Sequence, residues 1–202
     1  MYIASLMRII EEGFKYNLIN VQKVAFSRLM RVSTSMNQKK VGVKPTIRPI
    51  ENDDNAVVAD IIRLVMTEFE AVGCGYSISD AEVDDMYTAY SSDRSAFYVV
   101  ELNGKVLGCG GFGPLNGAEE DTCELRKMYF RSELRGFGVG TKLLERCLDK
   151  ATRVGFKICY LETMDNMKQA RQLYGKHGFS YLDKPMGNTG HTSCGTWMKR
   201  EL

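Results

Sequence analysis

Arg135-Gly136-Phe137-Gly138-Val139-Gly140-Thr141 decides the reading of this chain. The stretch follows an extended run, Cys123 to Phe130. It opens a pattern that sets Leu143, Leu144, Cys147, Leu148, Ala151 and Val154 on one helix face, with Gly155 as its stop. Glycine at every second position lets consecutive backbone N–H groups turn toward one point, with no Cβ to keep an anion away. The positive end of the helix dipole lies at the same place. Arg135 adds a fixed charge that grips phosphate oxygens. The stretch therefore predicts a cradle for a pyrophosphate.

Two common phosphate motifs do not fit. A P-loop needs four residues between its glycines and then Lys followed by Ser or Thr. Here Gly136 and Gly140 are separated by Phe137, Gly138 and Val139, and the order is Thr141-Lys142. The dinucleotide fingerprint G-x-G-x-x-G also fails, because Gly136, Gly138 and Gly140 form G-x-G-x-G late in the chain.

Working outward, the pattern alternates strands and helices. Upstream, Thr46–Ile50 reads as a strand, and Val57, Val58, Ile61, Ile62, Val65 and Phe69 form a helical stripe. Ala71–Ser77 is a loop, and Ser79-Asp80 is expected to cap a second helix reaching Tyr90. Phe97–Leu102 and Lys105–Phe112 flank Asn103-Gly104, a hairpin turn. Thr122–Phe130 is the strand that leads into the cradle. Downstream, Ile158–Leu161 is a continuous apolar run suited to a buried parallel strand. Asn166–Lys176 is expected to be a helix with Asn166 and Gln169 as a capping box. Phe179–Leu182 and Gly195–Met198 close the pattern as strands.

Arg-Gly-x-Gly-x-Gly between a strand and a helix resembles the acetyl-CoA signature of the GNAT superfamily of N-acetyltransferases. Met128-Tyr129-Phe130 resembles the family's strand end that contacts the pantetheine arm. Leu173-Tyr174-Gly175-Lys176-His177-Gly178-Phe179 matches its L-Y-x-x-x-G-F segment. The resemblance runs from about Thr46 to the C-terminus. It implies an α/β fold: a mixed central sheet of about six to seven strands, helices on both faces, and two parallel strands splayed around the cofactor. It implies transfer of an acetyl group from acetyl-CoA to a primary amine by direct attack in a ternary complex. A non-catalytic acyl-CoA-binding or sensor module on the same fold is the alternative.

The resemblance also assigns roles. Met128, Phe130, Arg135, Gly136, Phe137, Gly138, Val139, Gly140 and Thr141 are expected at the cofactor, Met128 through its backbone N–H facing the developing oxyanion. Tyr174 is the expected general acid, a phenol that hands its proton to the departing thiolate. Glu124 and Glu162 both stand as candidate bases or acceptor ligands. Glu124 shares the two-residue alternation of Met128 and is expected on the same face. Asn166 is a cofactor candidate, although the family's asparagine stands seven residues before the tyrosine, where this chain has Met167. Tyr76 and His191 are expected to border the acceptor, which is a small-molecule amine or a peptide N-terminus.

Composition limits the remaining classes. The chain has 202 residues, 44% of them hydrophobic and 26% charged, with a net charge of +2. No basic field supports nucleic-acid binding. Two histidines and six cysteines without a C-x-x-C pair give no zinc pattern, so no metal is expected. Scattered Cys123, Cys147 and Cys159 in apolar patterns read as reduced core thiols, which points to a cytoplasmic protein. No apolar run approaches the length of a membrane span, about 18 residues, so no membrane partner is expected, and a monomer or homodimer is expected. Residues 43–202 read as the transferase domain. Residues 1–42 read as an extension or linker, with a helix as one option and no secretory signal pattern.

Overall fold

In the structure, a computed structural model, the described residues are Gly42 and 44–202. The expectations for residues 1–41, including the appended helix, lie outside the described residues. All elements below belong to the unit Lys44–Leu202.

Strand β1 (Thr46–Pro49) runs antiparallel to β2 (Ala96–Leu102). Asn103 (φ 55°) and Gly104 (φ 72°) both adopt the left-handed conformation. That pair forms a tight hairpin whose twist matches its strands, and it joins β2 to β3 (Lys105–Pro114). β3 pairs antiparallel with β4 (Thr122–Phe130), and β4 runs parallel to β5 (Ile158–Thr163). β6 (Ser180–Leu182) and β7 (Thr196–Glu201) complete one open seven-stranded sheet in the order β1-β2-β3-β4-β5-β7-β6.

Helices cover both faces, because successive strand residues point to opposite sides and each side is apolar. Helix α1 (Asn55–Glu68) buries Val58, Ile61, Ile62 and Val65 against Phe97, Val99 and Cys109. The short α2 (Met86–Ala89) adds Met86 to that layer. On the other face α3 (Val139–Arg153) buries Leu143, Leu144, Cys147 and Leu148 against Tyr98, Val100, Phe112 and Leu125. Leu143 and Leu144 are fully buried, each contributing about 1.5–3 kcal/mol. Helix α4 (Lys168–Lys176) follows β5 and ends at His177, whose ring Nδ1 lies 2.8 Å from the Leu173 carbonyl oxygen.

Two helix starts differ from expectation. The second helix does not run from Ser79-Asp80 to Tyr90. Two 3-10 turns, Ser77–Ser79 and Ala81–Asp84, precede the one-turn α2, and the Asp85 side chain caps it on Thr88 N. The Asp80 carboxylate is drawn to Lys127 and His191 instead. Likewise, α4 starts at Lys168 with no side-chain cap, and Asn166 Nδ2 donates to the Phe69 carbonyl at 2.9 Å. The capping-box reading fails because Asn166 ties the turn to the end of α1.

Candidate active site

The site is created by two irregularities in β4. The first is a bulge. Cys109 pairs with Tyr129 and Gly111 with Arg126, so Lys127 and Met128 together face Gly110. Lys127 has φ 55°, a conformation that shifts alternation by one residue. Before the bulge Cys123 and Leu125 point toward α3; after it Met128 and Phe130 do. Glu124 therefore faces the α1 side, opposite to Met128. The expected common face was wrong, because two-residue parity does not survive an inserted residue.

The second irregularity is the splay. β4 and β5 pair only at Thr122–Ile158, Cys123–Cys159 and Glu124–Tyr160. Beyond Glu124, β5 stays bound to β7 as far as Thr163–Thr196. β4 departs toward the cradle. The wedge between them opens into a groove of about 620 Å³. One wall is Met128–Arg131 with Leu134 and Arg135; the other is Asn166–Ala170 with Leu173 and Tyr174.

The cradle closes one end of this groove. Gly136 (φ 81°) and Gly138 (φ 66°) are left-handed, and Gly138 is the N-cap of α3. First-turn N–H groups of a helix lack intrahelical acceptors and favour an anion. Gly138, Val139, Gly140 and Thr141 line the groove, as do Arg135 and Gly136. A Cβ on Gly140 would meet Leu173 Cδ2 at 3.3 Å, so glycine lets α3 approach α4 closely. Arg131, which sequence reasoning missed, also lines the groove, and its Nε is buried without a partner among the described residues. A buried unpaired donor is costly unless a ligand supplies the acceptor. Phe137 is not on the groove wall; its side chain packs against the core beneath α3.

A second, smaller cavity of about 60 Å³ lies behind the bulge. Glu124, Glu162, His191, Cys194 and Ser77 line it. It shares Met128, Tyr129, Met167, Ala170 and Tyr174 with the groove. Tyr174 stands at the junction, 7% exposed, its ring tilted against Phe179 at 5.8 Å. Burial pushes its phenol upward, so it stays protonated across the physiological range.

The charged groups around the small cavity form a connected set. Glu124 is 3% exposed and takes Arg126 Nε at 2.5 Å. Burial raises its carboxyl, and the Arg126 charge offsets part of that rise. Glu162 Oε1 accepts from the Tyr160 hydroxyl at 2.8 Å and the Thr189 hydroxyl at 2.9 Å. Its Oε2 is buried without a partner among the described residues. The Lys127 ammonium, 1% exposed, is held by Asp80, by Glu82 at 3.5 Å and by the Ser77 carbonyl at 3.3 Å. Asp80 Oδ2 also meets His191 Nε2 at 2.9 Å. Burial works against the imidazolium, but the Asp80 hydrogen bond and the Asp80 and Glu124 charges outweigh it, so His191 is raised. Burial works against the Asp80 carboxylate too, yet His191 and Lys127 hold it below the usual range.

The structure thus brings Glu124, Glu162, His191 and Tyr174 to one cavity, and Met128, Phe130, Asn166 and the cradle to the adjoining groove. Tyr76 lies on neither wall and packs into the α1 layer; Ser77 lines the small cavity, its hydroxyl 2.8 Å from that of Tyr129. Asp80, Lys127 and Cys194 were also missed. Their signals were weak: a loop aspartate, a strand lysine and a cysteine beside His191 are ordinary until the fold joins them. Among the described residues no cluster could hold a metal ion, and no helix is long and apolar enough to cross a membrane.

Comparison with known proteins identifies the family and the fold. Residues 58–179 match the acetyltransferase (GNAT) family. The uncharacterised N-acetyltransferase YjgM of Escherichia coli K12 is 42% identical over 159 residues, covering 78% of this chain and 95% of that protein. An IAA acetyltransferase of Azospirillum brasilense is 28% identical over 142 residues, covering 70% and 90%. Two solved structures share the fold at low identity. A GNAT-family acetyltransferase of Staphylococcus aureus Mu50 superposes with a TM-score of 0.70 at 17% identity, covering 78% of this chain and 99% of that one. YncA of Salmonella typhimurium, solved with its cofactor acetyl-CoA, gives 0.62 at 24%, covering 79% and 94%. The chain belongs to the GNAT family of acetyltransferases, and it is an acyltransferase of the N-acetyltransferase type.

Proposed function

We propose that the chain transfers the acetyl group of acetyl-CoA to a primary amine by direct attack in a ternary complex. The observation that carries this is the junction of groove and cavity at Tyr174 and Met128. A thioester laid along the groove ends where an amine in the cavity would begin. The cradle and Arg131 suit the pyrophosphate, and the buried Arg131 Nε is an orphan donor that such a ligand would satisfy. The acceptor is a small amine or a peptide N-terminus, entering from the side of the 71–80 and 187–194 loops.

Each step has a residue to serve it. The acceptor nitrogen must lose a proton, and Glu162 Oε2 is the carboxylate oxygen free to take it. Glu124, held by Arg126, forms the second wall and is the other candidate base. The nitrogen attacks the carbonyl carbon, and the Met128 N–H faces the oxygen as it gains charge. The carbon–sulfur bond breaks, and the Tyr174 phenol protonates the thiolate; a phenol kept neutral by burial is suited to that task. His191, fixed by Asp80, borders the acceptor. Asn166 and the backbones of Met128 and Phe130 steady the cofactor arm.

The test is product analysis with acetyl-CoA and a panel of primary amines. The expected result is release of free CoA thiol together with an amine one acetyl group heavier. Binding of CoA with no acetylated product from any amine would overturn the transfer step and leave an acyl-CoA-binding module.

A further inference from the structure

The small cavity has an asymmetry of charge. Each cation on it is already engaged. Arg126 gives Nε to Glu124 and Nη2 to the Pro114 carbonyl at 2.7 Å. Lys127 is shared by Asp80 and Glu82. His191 Nε2 is on Asp80. Of the anions, Glu124 is matched by Arg126, but Glu162 is not matched in that way. Glu162 meets only neutral hydroxyls through Oε1, and its Oε2 is buried with no partner among the described residues. The remaining wall is uncharged: it mixes Met66, Met164 and Ala170 with neutral polar side chains, Ser77, Thr163 and Cys194 among them.

Such a wall rewards one ligand charge and rejects the other. An ammonium or amine beside Glu162 supplies the missing donor. A carboxylate in the same space would be desolvated near Glu124 and Glu162 with no cation to receive it. At about 60 Å³ the cavity holds an amino group and a few carbons. A group attached to the carbon beside the nitrogen would share that space.

We propose that the acceptor is a primary amine with no carboxylate on the carbon that bears its nitrogen, an alkylamine or an aminoacyl amide, held through its amino group by Glu162. This rests on the acetyltransferase reading above. It narrows the acceptor class, and it gives Glu162 rather than Glu124 the amine.

The experiment compares leucine, leucinamide and isoamylamine with acetyl-CoA, following thiol release, with a CoA melting shift measured beside it. Isoamylamine is more basic than leucine, so a preference for it cannot come from easier deprotonation. The expected result is kcat/KM at least about tenfold higher for isoamylamine and leucinamide than for leucine, a difference of about 1.4 kcal/mol. Glu162→Gln should raise KM for both and shrink their advantage, while leaving the CoA shift intact. Glu124→Gln should leave the ranking unchanged. A leucine rate equal to or above that of isoamylamine, with the CoA shift present, overturns this inference alone. A CoA shift with no reaction from any of the three overturns it together with the transfer step. Absence of the shift overturns the cofactor reading and this proposal with it.

Discussion

Tyr174→Phe separates catalysis from architecture. The side chain is 7% exposed and packs on Phe179, and phenylalanine keeps that ring contact. Burial is the main influence on the hydroxyl, and among the described residues no hydrogen bond holds it, so its removal orphans no group there. Stability should change by no more than about 0.5 kcal/mol. For a domain of this size that is about 2 °C or less in Tm. The cradle lies elsewhere on the groove, so CoA at about 100 times its Kd should still add about 2.7 kcal/mol. Turnover should behave differently. Loss of a general acid lowers kcat by about 10²–10⁴-fold, or about 2.7–5.4 kcal/mol of barrier. The assay pairs a thermal melt, with and without CoA, with steady-state thiol release. Wild-type kcat with every accepted amine would refute the proton-donor role. A large fall in Tm would refute the claim that the hydroxyl carries no structural load.

Gly138→Val tests the cradle. The φ of 66° costs a valine about 1–2 kcal/mol, and among the described residues no atom beyond its chain neighbours lies within 4 Å of the new Cβ, so the fold should survive with its CoA melting shift abolished. A retained shift would move the pyrophosphate elsewhere. Asp80→Asn tests the loop pair by NMR, which is simple in a chain with two histidines. His191 is raised when folded, so its contribution is complete below its unfolded pKa of about 6.5 and fades as pH rises through the folded value. Asp80 is lowered, so its contribution is complete above about pH 4 and fades as pH falls through its folded value. The pair therefore stabilises most between those limits, and in Asp80→Asn the His191 midpoint should fall; an unchanged midpoint would dissolve the pairing. Gly111→Ala places a Cβ 2.3 Å from the Ala96 carbonyl oxygen, a backbone atom that cannot move alone. Overpacking of about 1–3 kcal/mol or more should lower Tm by several degrees, and an unchanged melt would show that β2 and β3 separate freely.

The elements with strong local signals were legible. The cradle, the α1 and α3 stripes and the Asn103-Gly104 turn each depend on residues near one another in sequence. The seven-stranded mixed sheet followed from their order and from the family resemblance. What was not legible depended on distant partners. Asp80 looked like a helix cap, but the buried Lys127 ammonium outcompetes a turn of backbone for its carboxylate. Asn166 looked like a cap as well, but the Phe69 carbonyl stands 2.9 Å away. Tyr76 packs into the α1 layer while its neighbour Ser77 lines the small cavity, and an irregular loop carries no periodicity that would tell the two apart.

The bulge at Lys127 is the deeper case, because the site depends on it. Its signal sits in the partner strand. Gly108, Gly110, Gly111 and Gly113 strip β3 of side chains where β4 bends. A Cβ on Gly108 would strike Phe130 at 2.6 Å, and one on Gly110 would reach Met128 Cγ at 3.0 Å and Leu143 at 3.1 Å. The glycines therefore make room for Met128 and Phe130 on the α3 face, which the extra residue has turned toward it. The same shift buries the Lys127 ammonium among the loops on the α1 side. One inserted residue thus aims the end of β4 into the groove and leaves Glu124 behind in the small cavity. A regular β4 would put Met128 and Glu124 on one face. In the proposed ternary complex the thioester and the acceptor would then compete for one side of the sheet, with no junction at Tyr174.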